Sequence, residues 1–232
     1  MGIPRSIIEY IWRLQDEKNS LFSQRIARKL ILHYGGNSGH NLEEDKSFLG
    51  YGLIHYALIS NLKPKRVLCI GSTKGFIPAI CALACKENAK GHVDFVDAGY
   101  DKDNPNHWGG IGFWKEVNPD KHFSFPALSP WITTHIMRSD QFARLGTKRR
   151  WQYIYIDADH SYKGVKKDFE LFWPRLAKGG FMVFHDVLLK EHPEHADFGV
   201  WKFWNEIKNI DKITIPYTHS RVLPSGLGIL QK

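Results

Sequence analysis

The stretch Trp151 to Val187 constrains the fold most, because it reads as strand, helix and second strand in direct succession. Tyr153 to Ile156 is aromatic and β-branched throughout, which is typical of a strand buried on both faces of a parallel sheet. Phe181 to Phe184 has the same character. Between them, apolar residues recur at helical spacing: Tyr162, Val165, Phe169, Phe172 and Leu176. The stretch therefore predicts an α/β fold.

Two signals mark the end of this predicted helix. Pro174 should kink or end it, because proline lacks the backbone N–H that a helix interior requires. Gly179 and Gly180 can supply the left-handed residue that closes a helix.

Polar residues follow each of the two strands, where the strand ends. A strand–helix–strand unit is almost always a right-handed crossover, so both carboxyl ends lie on one edge, where open α/β sheets bind ligands. Carboxylates and imidazoles together can ligate a divalent cation or move protons at neutral pH. The sequence therefore predicts that five ionisable residues meet at this edge: Asp157, Asp159, His160, His185 and Asp186.

A structural role is the alternative for these residues. Asp159 or Ser161 could simply cap the helix, with the other side chains satisfied by hydrogen bonds. A cap explains only one member of the group, and burying several ionisable groups together is costly. We therefore favour a functional role for Asp157, His160 and Asp186, whereas Asp159 and His185 stay open between the two interpretations.

A glycine-rich turn lies between the predicted strand Val67 to Ile70 and the helix Phe76 to Cys85. In this turn, Gly71 to Gly75, backbone amides can face a ligand at close range. A simple tight turn is the alternative, because this spacing is not the dinucleotide fingerprint. A second strand, His92 to Val96, ends at Asp97, whose carboxylate could accept hydrogen bonds from both ribose hydroxyls of a nucleoside.

The segments IDADHSY, GGFMVFHD and GLGIL, together with the glycine-rich turn, resemble class I S-adenosylmethionine-dependent methyltransferases. The likeness is strongest to the small-molecule and sugar-tailoring branch and covers about Phe48 to Lys232. It implies a Rossmann-like, seven-stranded sheet with helices on both faces. The implied contacts of S-adenosylmethionine are Gly71, Ser72, Gly75, Asp97, Ser139 and Asp140. Cys69 departs from the pattern, because the family usually carries an acid there.

The segment IDADH also resembles catechol and caffeoyl-coenzyme A O-methyltransferases, in which the first Asp holds a divalent metal and a Lys three residues on is the base. This resemblance implies that Asp157 is catalytic and that His160 stands in for the base. It implies that Asp157, His185 and Asp186 hold a cation such as Mg²⁺, although the relatives have Asp-Asn where this chain has His185-Asp186.

Outside these motifs we expect a helical extension over residues 1–47 and a methyltransferase domain over 48–232. Residues 4–34 predict two helices, or one interrupted near Asn19-Ser20, that pack on the core, cover a substrate site or form a dimer contact. The glycine- and aromatic-rich connection Ala98 to Trp131 is interpreted as a lid over the substrate. The tail, Val200 to Leu230, predicts a helix and the reversed strand pair that ends a methyltransferase sheet.

Composition limits the partners. The formal charge of +8 favours an acidic partner, such as an anionic sugar or a nucleic acid, although solvated surface charge is the simpler interpretation. No apolar run suits a membrane span, and three cysteines without metal spacing predict buried thiols in a cytoplasmic protein. The family resemblance, rather than composition, implies an O-methyltransferase that acts on a hydroxyl of a small molecule or sugar, and a homo-oligomer is open. An RNA methyltransferase, or a cofactor-binding protein without turnover, remains the alternative.

Overall fold

The computed structural model describes residues 24–35, 49–99, 113–145, 149–191, 196–216 and 225–232. Seven strands in these ranges form one sheet: β1 (Val67–Gly71), β2 (Val93–Asp97), β3 (Ile132–Ile136), β4 (Trp151–Asp157), β5 (Leu176–His185), β6 (Asp211–Ile215) and β7 (Leu227–Gln231).

The strand order is β3-β2-β1-β4-β5-β7-β6. The first five strands in this order are parallel, whereas β7 runs antiparallel to both β5 and β6. The predicted α/β class and the reversed strand pair at the end of the chain are confirmed. This order brings the carboxyl ends of β1, β2, β4 and β5 side by side.

The strand β1 shows why the sheet is buried on both faces. Its side chains alternate, so that Val67 and Cys69 join the core on one face while Leu68 and Ile70 join the core on the other. All five residues of the strand are buried. A continuous apolar strand is therefore stabilised by helices on each side.

Helices cover both faces of the sheet. Their bounds are α1 (Gln24–Tyr34), α2 (Tyr51–Leu62), α3 (Phe76–Glu87), α4 (Phe113–Glu116), α5 (Pro119–His122), α6 (Ser139–Arg144), α7 (Tyr162–Phe172) and α8 (Val200–Glu206). Short 3₁₀ turns, Ser129–Trp131 and Trp173–Arg175, precede β3 and β5. Each of the helices that the structure describes is too short or too polar to cross a membrane.

The N-terminal part is described only as α1, and the prediction of a helix before it falls on residues outside the described ranges. Leu30 and Ile31 of α1 are fully buried, and α1 packs against α3. The described part of the N-terminal extension is therefore packed on the core, which was one of the three roles that the sequence left open.

The end of α7 differs from the prediction. Trp173–Arg175 forms a 3₁₀ turn, so Pro174 ends the helix as expected, but Leu176 already belongs to β5 rather than to the helical face. Gly179 does have a positive φ of 75°, yet it lies inside β5, near a register shift between β4 and β5. The glycine pair therefore accommodates an irregular strand and does not close a helix.

The lid interpretation is wrong for those residues of the connection between β2 and β3 that pack in the core. Trp114, Phe123 and Leu128 are 2%, 1% and 0% exposed and belong to the main core cluster. Trp114 and Phe123 are thus core residues, whereas Phe113 is partly buried against the same core, in a segment whose irregular spacing gave no sign of packing. Tyr100 to Gly112, including Trp108, lies outside the described residues.

Candidate active site

Four of the five predicted ionisable residues meet at the carboxyl ends of β4 and β5. Asp157 and His185 are the last residues of these strands, His160 lies in the loop after β4, and Asp186 follows β5 with a φ of 62°. Each of the four offers one ligand atom, and these atoms lie within 4.8 Å of one another. The sequence prediction that these residues converge is confirmed.

Within this cluster, each of the two imidazoles lies close to both carboxylates. His160 Nε2 lies 3.1 Å from Asp157 Oδ1 and 3.2 Å from Asp186 Oδ2. His185 Nδ1 lies 3.4 Å from Asp157 Oδ1 and 3.1 Å from Asp186 Oδ1. Each imidazole therefore faces both carboxylates. We call these four residues the His–Asp cluster.

Asp159 does not join the His–Asp cluster. Its Oδ1 accepts a hydrogen bond from the Ser161 N–H at 2.9 Å, and the Ser161 hydroxyl accepts one from the Gly164 N–H at 3.0 Å. Ser161 is the residue that caps α7. The structural interpretation of Asp159 and Ser161 is therefore correct, and the prediction that all five ionisable residues converge is wrong for Asp159.

Three aromatic residues around the cluster escaped the sequence prediction. The Tyr155 hydroxyl donates to Asp157 Oδ2 at 2.8 Å. The Phe198 ring stacks on His160 with centroids 5.7 Å apart, and the Tyr51 ring meets His185 edge-on at the same distance. Tyr155 could have been found, because alternate residues of a strand share one face. Tyr51 and Phe198 are too far away in sequence to give such a signal.

The His–Asp cluster binds protons tightly. Burial lowers the pKa of His160, but its hydrogen bonds to Asp157 and Asp186 outweigh burial and raise the pKa to about 10. Burial raises the pKa of Asp186, but His185 and His160 hold it well below its usual range. The pKa of His185 is raised for the same reason as that of His160. The pKa of His160 therefore lies well above that of an ordinary imidazole, about 6.5.

A stability measurement can check this charge balance. Below about pH 6.5 His160 is protonated in the folded and the unfolded protein, so its ion pairs contribute fully. Between pH 6.5 and about pH 10, His160 keeps its proton in the folded protein but loses it in the unfolded protein. In chelator, we expect the free energy of unfolding to fall as pH rises through this window, by up to about 1.4 kcal/mol per pH unit for this group. Urea unfolding at several pH values measures it.

The matched variant is His160→Gln, which keeps a donor but cannot carry a charge. Its free energy of unfolding should decline less steeply between pH 7 and 9.5. Parallel decline in the wild type and the variant would contradict the shifted pKa.

The glycine-rich turn joins β1 to α3 directly beside the His–Asp cluster. Gly71 pairs with Asp157 across the two strands, and a Cβ on Gly71 would come within 2.0 Å of the Asp157 carbonyl oxygen. Gly71 and Gly75 have φ values of 76° and 83°, so both use the left-handed region that glycine permits. The turn predicted to bind a cofactor and the cluster predicted to bind a cation therefore share one edge.

Asp97 ends β2 next to this turn. Its Oδ1 accepts a hydrogen bond from the Gly99 N–H at 2.7 Å, and the Thr73 N–H also donates to its carboxyl. Burial raises the pKa of Asp97 to about 7 in spite of these donors. The predicted ribose contact thus lies against the predicted cofactor turn. Ser72, another predicted contact, is buried within the same turn.

Ser139 and Asp140 begin α6, beyond β3. The Ser139 hydroxyl donates to Asp168 Oδ1 at 2.5 Å. The Asp140 carboxylate lies 3.0 Å from Arg138 Nε and 3.1 Å from Lys167 Nζ, and these cations hold its pKa down to about 2. Both side chains are thus engaged with neighbouring protein groups, and their role as adenine contacts stays a prediction.

Cys69, which stands where the resembling family carries an acid, is fully buried in the core. It shares a hydrogen bond with Cys81 of α3, and the thiol of Cys85 is close to Cys81. The three cysteines are free and buried, as predicted.

Comparison with known proteins agrees with this geometry. Residues 68–187, more than half of the chain, match the family described as a methyltransferase domain. In the search of curated proteins, the chain is 27% identical over 205 residues to the uncharacterized protein y4gI of Sinorhizobium fredii. The match covers 82% of this chain and 20% of that protein, so the chain spans about a fifth of the relative's length.

Two O-methyltransferases are among the solved structures that share the fold. The O-methyltransferase TomG of Streptomyces achromogenes, involved in tomaymycin synthesis and solved in complex with SAM, has a TM-score of 0.63 at 12% identity. That match covers 92% of this chain and 90% of TomG. An O-methyltransferase of Bacillus cereus, solved with SAH, has a TM-score of 0.60 at 12% identity and covers 89% of this chain and 90% of that one. At such identities the likeness concerns the fold alone.

Proposed function

This chain belongs to the methyltransferase domain family, and on that premise we propose that it transfers the methyl group of S-adenosylmethionine to a hydroxyl of a small molecule, such as an anionic sugar. The observation that supports the proposal is the pairing of Gly71 with Asp157. It brings the candidate cofactor turn next to a cluster whose members could accept a proton. A cytoplasmic location and a homo-oligomer are part of the same proposal.

The glycine-rich turn and Asp97 would hold the cofactor. The turn supplies backbone amides at a strand end, and the Asp97 carboxylate can accept further hydrogen bonds from ribose hydroxyls. Ser72 and Gly75 belong to the same turn. Ser139 and Asp140 would contact the adenine of the cofactor from the start of α6. S-adenosylmethionine, when bound, supplies a methyl group that its sulfonium has already activated.

The chain must then remove the proton of the acceptor hydroxyl, because forming an ether from a hydroxyl releases one. The groups that could take this proton are the members of the His–Asp cluster. We propose Asp157 and His160 as the catalytic residues, with His160 as base in its neutral form. Since the two carboxylates raise the pKa of His160 to about 10, added positive charge in the cluster would favour that form.

A divalent cation fits the donor set of the cluster. We propose Asp157, His185 and Asp186 as its ligands, because each offers an oxygen or nitrogen atom at close range. Carboxylate oxygens suit Mg²⁺, whereas the imidazole shifts the preference towards Mn²⁺, Fe²⁺, Co²⁺ or Zn²⁺. Such a cation would lower the pKa of a hydroxyl that it contacts.

The test is transfer of a labelled methyl group to a broad library of small hydroxyl compounds, with total RNA as a second acceptor, in the presence and absence of chelator. Label in a small hydroxyl compound supports the proposal. Label in RNA alone would contradict the proposed activity and indicate an RNA methyltransferase. Cofactor binding without any transfer would indicate a protein that only binds the cofactor.

A separate prediction concerns Asp97. At a pH above the pKa of Asp97, about 7, Asp97→Ala should raise the dissociation constant for S-adenosylhomocysteine by roughly 10- to 150-fold, because a charged acceptor of two hydrogen bonds is lost. Calorimetric titration measures it. The control is Asp94→Ala, which removes another buried carboxylate of β2 that bonds Trp151 and His135 instead. Equal affinities in the two variants would exclude Asp97 as the ribose contact.

A further inference from the structure

The backbone of the glycine-rich turn adopts conformations that its sequence does not readily favour. Besides Gly71 and Gly75, the residues Ser72 and Thr73 have positive φ values, 123° and 49°. Side chains rarely tolerate this region, and threonine is β-branched, so the surrounding structure must hold the turn in place. The Gly75 N–H donates to the Ser72 carbonyl at 2.7 Å, and further support comes from outside the turn.

Two side chains from the segment between β2 and β3 bind successive carbonyl groups of the turn. The Trp114 Nε1–H donates to the Thr73 carbonyl at 2.9 Å, and the His122 Nε2–H donates to the Lys74 carbonyl at 2.9 Å. The C=O and N–H of one planar peptide group point in opposite directions. The two donors therefore also fix the directions of the Lys74 and Gly75 N–H groups.

His122 is well suited to this role. Burial lowers its pKa, so the ring is neutral at pH 7 and has one N–H to donate. The adjacent Phe123 ring lies against the turn as well, since a Cβ on Gly75 would come within 2.8 Å of it. Trp114 stacks on the same ring with centroids 6.0 Å apart.

Helix α1 contacts His122 from the other side. The His33 Nε2–H donates to the His122 carbonyl at 2.9 Å, and the two imidazole rings stack with centroids 4.8 Å apart. Tyr34 donates to the Phe125 carbonyl and stacks on Phe123 at 5.4 Å. A continuous series of contacts thus runs from α1 through His122 to the turn.

We infer that Trp114 and His122 are positioning residues that hold the glycine-rich turn ready for the adenosyl cofactor, and that α1 acts on the turn through His122. The inference rests on the proposed binding of S-adenosylmethionine at this turn. Neither residue contacts the cofactor in this assignment, because both act on the directions of backbone groups. Since coupling between two sites is reciprocal, cofactor binding also strengthens the docking of α1.

Calorimetric titration of S-adenosylhomocysteine tests the role of Trp114. Trp114→Phe keeps an aromatic ring against Phe95 and Phe123 but loses the N–H donor. We expect the dissociation constant to rise by up to about 10-fold, because the loss of one hydrogen bond lets the free turn leave its binding conformation. The control is Trp204→Phe on α8, which removes a similarly buried N–H donor to the Thr214 hydroxyl of β6 and should leave the dissociation constant within about twofold.

A pair of variants tests His122 in the same way. His122→Gln retains an N–H that can reach the Lys74 carbonyl, whereas His122→Leu has none. His122→Leu should weaken S-adenosylhomocysteine binding about 10-fold, and His122→Gln should retain most of the affinity. Equal weakening by both variants would assign His122 to packing alone and overturn its positioning role. This pair also carries the test if Trp114→Phe does not fold.

Hydrogen exchange of the Gly75 amide in the ligand-free protein separates this inference from the proposed function. The Gly75 amide should exchange about 10-fold faster in Trp114→Phe than in Trp204→Phe, because the turn loses a restraint. If the wild type binds no S-adenosylhomocysteine, the proposed function fails, while the exchange rate still reports on the turn. Unchanged exchange and unchanged affinity in Trp114→Phe would overturn the inference.

Discussion

Replacing Asp157 by asparagine is expected to cut methyl transfer by roughly 10²- to 10⁴-fold, the range for loss of a group that handles a proton or polarises the acceptor. The Asp157 carboxylate faces both imidazoles of the His–Asp cluster, and its other oxygen accepts the Tyr155 hydroxyl. Asparagine keeps the shape but not the charge, so it leaves a neutral and weaker cation ligand and removes the charge that orients His160. Turnover under saturating cofactor and acceptor measures the effect.

Affinity for S-adenosylhomocysteine provides the internal control for Asp157→Asn, because the cofactor turn is left intact, and we expect a change of no more than a few-fold. Tyr155→Phe provides a graded variant. It removes only the hydrogen bond that orients the Asp157 carboxylate, so we expect cation affinity or turnover to fall by about 10- to 100-fold. Near-normal turnover by Asp157→Asn would remove the His–Asp cluster from the reaction.

Gly71→Ala is expected to destabilise the fold by roughly 3 to 5 kcal/mol, combining overpacking with an unfavourable backbone conformation. The added Cβ would lie 2.0 Å from the carbonyl oxygen of Asp157 and 2.5 Å from its carbonyl carbon, at a φ of 76°. Both contacts are backbone atoms of the neighbouring strand, so no side-chain rotation relieves them. Urea unfolding measures the loss.

Gly179→Ala is the matched control, because Gly179 has nearly the same φ, 75°, with nothing within 4 Å of an added Cβ. Gly179→Ala should lower the free energy of unfolding by about 1 to 2 kcal/mol, the cost of a left-handed backbone conformation alone. Equal losses for the two variants would mean that the close approach of β1 to β4 does not constrain Gly71.

Much of this fold could be predicted from the apolar strands and from the polar residues that follow them. Runs such as Tyr153 to Ile156 are apolar over their whole length, and parallel topology then dictates that whatever follows them meets at one edge. The sequence therefore predicts that Asp157, His160, His185 and Asp186 lie together, because each of them stands at or just beyond the end of a strand.

Other features depend on contacts that no local pattern encodes. Trp114 and Phe123 lie in a segment without regular spacing, so their burial follows only from the space left beside α3. The raised pKa of His160 requires two carboxylates from different strand ends within hydrogen-bonding distance. Asp159 could not be separated from the cluster in sequence, because the direction of its side chain is set by the start of α7.

A crystal structure of the protein grown with S-adenosylhomocysteine and Mn²⁺, with anomalous data collected at the manganese edge, tests the central claim most directly. We predict the adenosine ribose on Asp97, the glycine-rich turn against the ligand, and an anomalous peak between Asp157 and Asp186. Ligand density elsewhere on the protein, or a crevice beside Gly71 that stays empty at saturating ligand concentration, would contradict the claim.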